Sequence, residues 1–170
     1  MGQEEILNMF FEHPTKEFQI RGIARALKMP KTTVSYHINQ FLKEGLIVKH
    51  KKDVFPSFKA DETSETYRFH KRQNFLNNII EGKVLDYIDE ECNPKCIVLF
   101  GSFAKAEYDT MSDIDIFVQA KATNLELVKF EKKLKHSINI FYEDKIEKLS
   151  SELLNNIVNG VKLRGFLKVK

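Results

Sequence analysis

The chain contains little cysteine and no long uninterrupted apolar run. Its two cysteines, Cys92 and Cys96, are too few for a zinc site of their own, and no histidine stands near them. We expect free thiols, with Cys96 packing as a small apolar residue, and a disulfide between the two cysteines is the alternative. No segment approaches the roughly 20 apolar residues that cross a bilayer, and the first residues do not resemble a signal peptide. We therefore expect a cytoplasmic protein with no membrane partner.

The chain also lacks internal repeats and stretches rich in glycine or proline. Its 170 residues suffice for one large domain or two small ones, and a hydrophobic share of 42% with 14 Phe can fill packed cores. Charge is uneven along the chain. Residues 1–72 hold 13 Lys and Arg against 9 Asp and Glu, whereas the remainder holds 14 against 15. The basic first part suggests an anionic polymer as partner.

Two short apolar strands flank a polar loop in the second half of the chain. The first strand, residues 96–100, runs directly into Gly101, and the second, residues 113–119, contains Asp113 and Asp115. Because side chains two residues apart on a strand point to the same face, the two carboxylates should be aimed at one spot. Paired carboxylates suit Mg²⁺, which usually also binds phosphate oxygens of a substrate.

The loop between the strands carries groups that suit a phosphate. Gly101 allows a phosphate to approach the main chain, and Ser102 is a favoured helix N-cap, which predicts a short helix from residue 103 to 107. The free N–H groups at such a helix start attract an anion, and Lys105 adds a cation. A phosphate-binding loop opposite a pair of carboxylates is typical of enzymes that transfer phosphoryl or nucleotidyl groups.

This stretch resembles the minimal, stand-alone class of polymerase-beta-like nucleotidyltransferases. That family has a Gly-Ser before an Asp-x-Asp at the spacing found here, and the Ser-Asp-Ile-Asp run ending at Asp115 matches its usual form. The resemblance covers about residues 93–170, including the closing segment 156–165. It implies Mg²⁺ as cofactor and ATP or another nucleoside triphosphate as substrate. It implies these roles: Asp113 and Asp115 catalytic and metal-binding; Gly101, Ser102, Lys105 and Ser112 nucleotide-binding.

Two positions depart from the family pattern. Ala106 stands where a glycine is usual, and Asn139 stands where a third carboxylate normally lies on the next strand, residues 137–142. An amide cannot act as a base and is a poorer metal ligand than a carboxylate. Glu143 shares the strand face but lies about 13 Å further along, so it is a poor substitute. The departure at Asn139 places transfer activity in question more than nucleotide or Mg²⁺ binding.

The first third of the chain has the pattern of a winged helix-turn-helix. Apolar spacing predicts a short helix in each of three segments, followed by a strand, a basic tip and a return strand. The segment from residue 20 to 47 resembles the winged helix-turn-helix family, and the likeness covers residues 3 to about 71. The predicted bounds are 4–12, 20–27 and Thr32 or Thr33 to 43 for the helices, 46–48 for the strand, 49–52 for the tip and 66–69 for the return strand.

The second helix of such a motif enters the major groove of duplex DNA with its N-terminal half, and the wing reaches flanking phosphates. Tyr36 could instead pack against the wing. A fold of this kind can also serve only as a protein-interaction module, so DNA binding is one of two hypotheses for this part. The predicted DNA contacts are Lys31, Thr32, Thr33, Ser35, Tyr36, His37 and Gln40 on the helix, and Lys49, Lys51 and Lys52 on the wing.

We predict an α+β chain: a winged helix-turn-helix domain at 1–71, a connecting helix at 72–92 and a small mixed-sheet nucleotidyltransferase-like domain at 93–170, with its helices on one side. Gly82 should break or kink the connecting helix. The first function hypothesis is a DNA-binding, Mg²⁺-dependent nucleotidyltransferase. Its acceptor is unknown, and the resemblance implies a HEPN-type toxin as a partner. The alternative is a transcriptional regulator whose second domain senses a nucleotide or binds a partner without turnover. Winged-helix proteins often bind as dimers, so a homodimer is also considered.

Overall fold

The computed structural model describes residues 2–50 and 55–168, so the predicted wing residues Lys51 and Lys52 lie outside the described part. The chain divides into two compact units, Met1–Lys71 and Arg72–Lys170. Within the described ranges, no helix is long and apolar enough to cross a membrane. Cys92 and Cys96 are free thiols, and burial raises the pKa of the Cys96 thiol, which fits its predicted packing role.

Unit 1 folds around one core that its three helices and its hairpin share. Buried aromatic and branched side chains from every element meet there, among them Phe10, Ile23, Ile38 and Phe58. Phe18 joins the hairpin edge through two backbone hydrogen bonds of 2.8 Å to Phe58. The elements are α1 (Gln3–Glu12), α2 (Ile20–Ala26), α3 (Lys31–Lys43), β1 (Ile47–His50), antiparallel β2 (Ser57–Ala60) and the first residues of α4 (Glu65–Glu81).

The predicted return strand of the wing at residues 66–69 is wrong, because that segment is helical. The strand that pairs with β1 is β2, and residues 66–69 lie in the first turns of α4. Ser64 accepts a hydrogen bond from the Tyr67 backbone N–H at 3.3 Å and so caps the helix. Tyr67 is buried and donates its hydroxyl to the Phe10 carbonyl at 3.0 Å. Burial raises the pKa of this phenol, consistent with a structural role.

Unit 2 is a four-stranded mixed sheet with helices between its strands. The strand order is β5-β4-β3-β6; β3 is antiparallel to both neighbours, and β4 and β5 are parallel. Gly82 separates α4 from the next helix, as predicted. The elements are α5 (Val84–Cys92), β3 (Cys96–Phe100), α6 (Gly101–Lys105), β4 (Ile114–Val118), α7 (Val128–Leu134), β5 (Ile138–Tyr142), a 3-10 turn (Ile146–Lys148), α8 (Ser151–Val158) and β6 (Val161–Gly165).

Helices cover both faces of this sheet, so the prediction that they lie on one side is wrong. On one face, alternate strand residues such as Leu99 and Ile116 pack with Val84 and Ile88 of α5. On the other, Val98 and Phe117 pack with Ile157 of α8. The strands therefore carry apolar side chains on both faces. A solvent-exposed polar side chain is unusual on such a strand.

The end of the described chain forms a strand that the sequence did not predict. β6 pairs with β3 from Leu99↔Val161 to Cys96↔Gly165. Gly160 makes this approach possible, because a Cβ there would lie 2.4 Å from the Leu99 carbonyl oxygen. The closing segment thus completes the sheet rather than ending in a loop.

Candidate functional site

Gly101 and Asp115 are brought together where β3 ends and β4 begins. The antiparallel register pairs Phe100 with Asp115, which places Gly101 beside the Asp115 side chain. Gly101 has a φ of 71°, and a Cβ there would lie 2.4 Å from Asp115 Oδ2. Only glycine fits this position, for its backbone angles and for its lack of a side chain.

Asp113 lies directly before β4 and is exposed, whereas Asp115 is half-buried. Ile114 between them is fully buried, so the alternation predicted from the sequence is present at this strand start. The preceding loop is closed by Asp109 and Ser112. Asp109 N–H donates to Ser112 Oγ at 2.9 Å, and Ser112 Oγ donates to Asp109 Oδ1 at 3.2 Å. Ser112 therefore holds the loop that presents Asp113.

Ser102 is not the helix N-cap that the sequence predicts. α6 begins at Gly101, its N-cap is Phe100, and no side chain makes a capping bond. Ser102 is the second residue of the helix and is half-buried beside Gly101. Lys105 is exposed and ends α6, one helical turn after Gly101, about 6 Å along the axis. Ala106 then takes a φ of 59°, the left-handed conformation for which glycine is usual.

Asn139 occupies the position beside Asp115 on the next strand. The parallel register pairs Asp115 with Asn139, and the Asn139 amide donates from Nδ2 to Asp115 Oδ1 at 3.1 Å. Glu143 follows the far end of β5, where its Oε1 accepts the Lys145 backbone N–H at 3.0 Å. An amide thus neighbours the carboxylate, and Glu143 does not replace the missing third acid.

The two carboxylates suit Mg²⁺ only if substrate phosphates and water supply the remaining ligands. The part of the chain that the structure describes contains no group of three or more His, Cys, Asp or Glu residues able to hold a metal. Two carboxylates, however, are what Mg²⁺ takes from proteins that also offer it substrate phosphates and water. Neither Asp113 nor Asp115 forms an ion pair with a described residue, so both are available to a cation.

A cluster of three buried rings connects the elements that carry this site, and it was not predicted from the sequence. Phe103 of α6 stacks on Tyr108 with ring centroids 4.1 Å apart, and His136 packs edge-on against Phe103 at 4.9 Å. His136 Nδ1 lies 2.8 Å from the Ser112 carbonyl oxygen. These contacts join α6, the loop before Asp113 and the start of β5. The only available signal was a lone histidine before a strand, which is weak.

The outer side of α3 carries most of the residues predicted to touch DNA. Val34, Ile38 and Phe41 are buried, so the opposite side of the helix faces solvent. The exposed members are Lys31, Thr32 and Tyr36, and the half-buried members are Thr33, Ser35, His37 and Gln40.

Tyr36 and His37 differ in their surroundings. Tyr36 is 61% exposed, so it is not packed against the described strands of the wing, and the wing residues 51–54 lie outside the described part. His37 lies at the flank of α3, stacked near Phe41 with centroids 6.3 Å apart. Asn39, missed from the sequence although it lies seven residues after Thr32, is exposed on the outer side. Tyr36, Thr32 and Asn39 are therefore better placed than His37 to reach a ligand.

Two arginines that sequence reasoning left out extend the basic surface of unit 1. Arg21 and Arg25, one turn apart on α2, line a surface groove of about 410 Å³ with Lys31. Lys49 on β1 is exposed, as a wing cation must be. His50, which follows it, lies 3.4 Å from Glu17 Oε1 and is half-buried. The described cations of this surface come from α2, α3 and β1.

Comparison with known proteins gives one family for each unit. The family model described as "Polymerase beta, Nucleotidyltransferase" matches residues 82–163. The family model described as "Bacterial regulatory protein, arsR family" matches residues 2–49. A search of curated proteins finds no match to the chain. The predicted helix-turn-helix and nucleotidyltransferase domains, and the α+β class, are confirmed.

Proposed function

We propose that this fusion of a helix-turn-helix and a nucleotidyltransferase domain binds duplex DNA through unit 1. Unit 2 would transfer a nucleoside monophosphate from ATP or another nucleoside triphosphate to an acceptor hydroxyl. The observation that carries the transfer proposal is the contact between Gly101 and Asp115. A side chain at position 101 would both be strained at this backbone angle and collide with Asp115, so glycine keeps the space beside the carboxylate open for a phosphate.

In the proposed site, Asp113 and Asp115 would hold Mg²⁺ together with the phosphates, and the backbone of Gly101 and Ser102 would line the phosphates. Lys105 and Ser112 complete the nucleotide contacts. Bound Mg²⁺ would neutralise phosphate charge and orient the nucleotide. An acceptor oxygen bonds to the α-phosphorus, the bond to the bridging oxygen breaks, and pyrophosphate leaves. Asn139 cannot take the acceptor proton, which passes to water.

The DNA-binding part of the proposal is supported by the exposed side of α3 and the cations around it. Lys31, Thr32 and Tyr36 offer hydrogen bonds and charge to base edges and phosphates. Lys49 and the predicted tip residues Lys51 and Lys52 would lie along flanking phosphates. A homodimer on two half-sites, in the cytoplasm, completes this part of the proposal.

A second candidate function is favoured by Asn139. Its amide satisfies Asp115 by a hydrogen bond where the family normally has a carboxylate, which suits nucleotide sensing without turnover. In that case the protein is a regulator whose second domain binds a nucleotide or a partner. The resemblance to minimal nucleotidyltransferases supports a HEPN-type protein as the partner or acceptor in either case.

Labelled nucleotide distinguishes the two functions. The full chain is incubated with Mg²⁺ and ATP labelled at the α-phosphate, with duplex ends, nucleosides and the product of any neighbouring gene as acceptors. Covalent label that requires Mg²⁺ and is lost in Asp115→Asn supports transfer. Saturable Mg²⁺-dependent binding without covalent label supports sensing, and no binding at all contradicts both.

A further inference from the structure

One face of β5 presents an exposed aromatic ring next to the carboxylate site. Asn139 and Phe141 lie two residues apart on β5 and so share one face of the strand. Both are exposed, whereas Ile138 on the opposite face is buried. Among the described strands β5 pairs only with β4, so it is an edge strand of the sheet. A ring and an amide are thus accessible together.

Phe141 packs against a neighbouring ring although it is accessible. It is 39% exposed, whereas its aromatic neighbour Phe100 is 6% exposed and Phe117, its partner in the register, is fully buried. The Phe100 and Phe141 rings pack edge to face with centroids 5.2 Å apart, which favours one orientation of the Phe141 ring. A partly open ring with a preferred orientation is a suitable platform for stacking a planar group.

Asn139 has unused hydrogen-bonding groups beside that ring. One of its two amide N–H groups goes to Asp115 Oδ1, and no other described residue bonds to its side chain. Its carbonyl oxygen and second N–H therefore remain for a ligand. An asparagine amide used in this way matches an adenine edge, accepting from the amino group and donating to a ring nitrogen. A carboxylate at this position could only accept.

We propose that Asn139 and Phe141 form a subsite for an adenine-type base, stacked on the ring and bonded along its edge by the amide. The inference rests on the proposed function, because the subsite adjoins the nucleotide phosphates held at Asp113 and Asp115. The base belongs either to the donor nucleotide or to a nucleotide that acts as acceptor. The departure from the family carboxylate at Asn139 then serves base recognition.

Calorimetry in the presence of Mg²⁺ distinguishes a donor base from an acceptor base. Three ligands are titrated: ATP, inosine triphosphate and inorganic tripolyphosphate. Inosine triphosphate lacks the amino group of adenine, and tripolyphosphate lacks the base. If the donor base is bound, wild type favours ATP over tripolyphosphate. Phe141→Ala should then weaken ATP about 10-fold and leave tripolyphosphate unchanged. Asn139→Leu should remove the preference for ATP over inosine triphosphate. Phe141→Tyr should retain binding, and Phe166→Ala, which removes another exposed ring, is the matched control.

If the acceptor base is bound, ATP and tripolyphosphate should bind with the same affinity to wild type and to each variant. Adenosine monophosphate then binds protein already saturated with Mg²⁺ and tripolyphosphate, and Phe141→Ala weakens that binding about 10-fold. The subsite is refuted if Phe141→Ala and Asn139→Leu, both still folded as judged by a cooperative thermal melt, alter neither measurement. If wild type binds neither ATP nor tripolyphosphate, the proposed function fails and the subsite fails with it. Tripolyphosphate binding without any effect of a base refutes the subsite alone.

Discussion

The carboxylate site of unit 2 and the outer side of α3 in unit 1 are held in place in different ways. In unit 2, the site residues touch one another, since Gly101 abuts Asp115 and Asn139 donates to it. In unit 1, Thr32 and Tyr36 extend into solvent from a helix that is anchored by its opposite, buried side. Substitutions in unit 2 should therefore change stability and function together, whereas substitutions on α3 should change function alone.

The largest effect on folding is expected from Gly101→Ala. The new methyl group would collide with Asp115 Oδ2 at a backbone φ of 71°, so the free energy of unfolding should fall by roughly 1–3 kcal/mol. Gly22→Ala is the matched control, because α2 has open space at that position. It should be neutral or stabilise by about 0.5–1 kcal/mol. Urea denaturation measures both, and equal stability of the two variants would refute the tight fit.

Asn139→Asp should make stability depend on Mg²⁺ and pH. It replaces a hydrogen bond to Asp115 by repulsion between two carboxylates, at a cost of about 1–2 kcal/mol near pH 7 without metal. In this variant, repulsion between the two carboxylates raises their pKa in the folded state above the unfolded value. The loss of folding stability is therefore present above that pKa and disappears on acidification. Thermal melts against wild type at pH 7 and pH 4 test this.

Added Mg²⁺ should restore the stability of Asn139→Asp at pH 7 and raise transfer to a valid acceptor, since a metal ligand or base is regained. Asn139→Leu is the control, because it removes the hydrogen bond without adding charge. If Mg²⁺ stabilises Asn139→Asp no more than Asn139→Leu, position 139 does not face the metal. If wild-type transfer is already complete and unchanged by the substitution, the third carboxylate is not needed.

On α3 and the wing, the expected change in stability is smallest, below about 0.5 kcal/mol. Lys49→Ala should weaken binding to all duplexes and reduce the salt slope by about 1. Thr32→Ala and Asn39→Ala, which truncate exposed side chains of α3, should instead alter sequence preference, by roughly 1–3 kcal/mol per base contact. Lys132→Ala, an exposed lysine of unit 2, is the charge-matched control. Gel shifts on the full chain measure this, and no binding at low salt would favour an interaction module.

The parts of the fold that could be predicted are those specified by neighbouring residues. Gly101 and Asp115 stand at the ends of apolar strands, so their proximity follows once the strands pair. The break at Gly82 likewise follows from a single residue. The wing was misassigned because residues 66–69 alternate like a strand, while Ser64 caps a helix there and Tyr67 reaches Phe10. Local patterns cannot decide between such alternatives when a distant core contact does.

The features that could not be predicted depend on residues far apart in the chain. His136 supports the Ser112 loop across 24 positions, and Asn139 meets Asp115 across the same separation. β6 needs Gly160 to approach Leu99, and α8 covers a sheet face that the sequence left open. The resemblance placed Asn139 on the right strand, but its hydrogen bond follows only from the parallel register.

The central claim is that Asp113 and Asp115 share one Mg²⁺-nucleotide site. It is tested by calorimetric titration of ATP with Mg²⁺ into wild type and into the double variant Asp113→Asn, Asp115→Asn. Glu90→Gln, Glu91→Gln removes two exposed charges elsewhere and is the matched control. Wild type and control should bind, and the double variant should remain folded, with a cooperative thermal melt, and show no measurable binding. Unchanged affinity in the double variant would contradict the account.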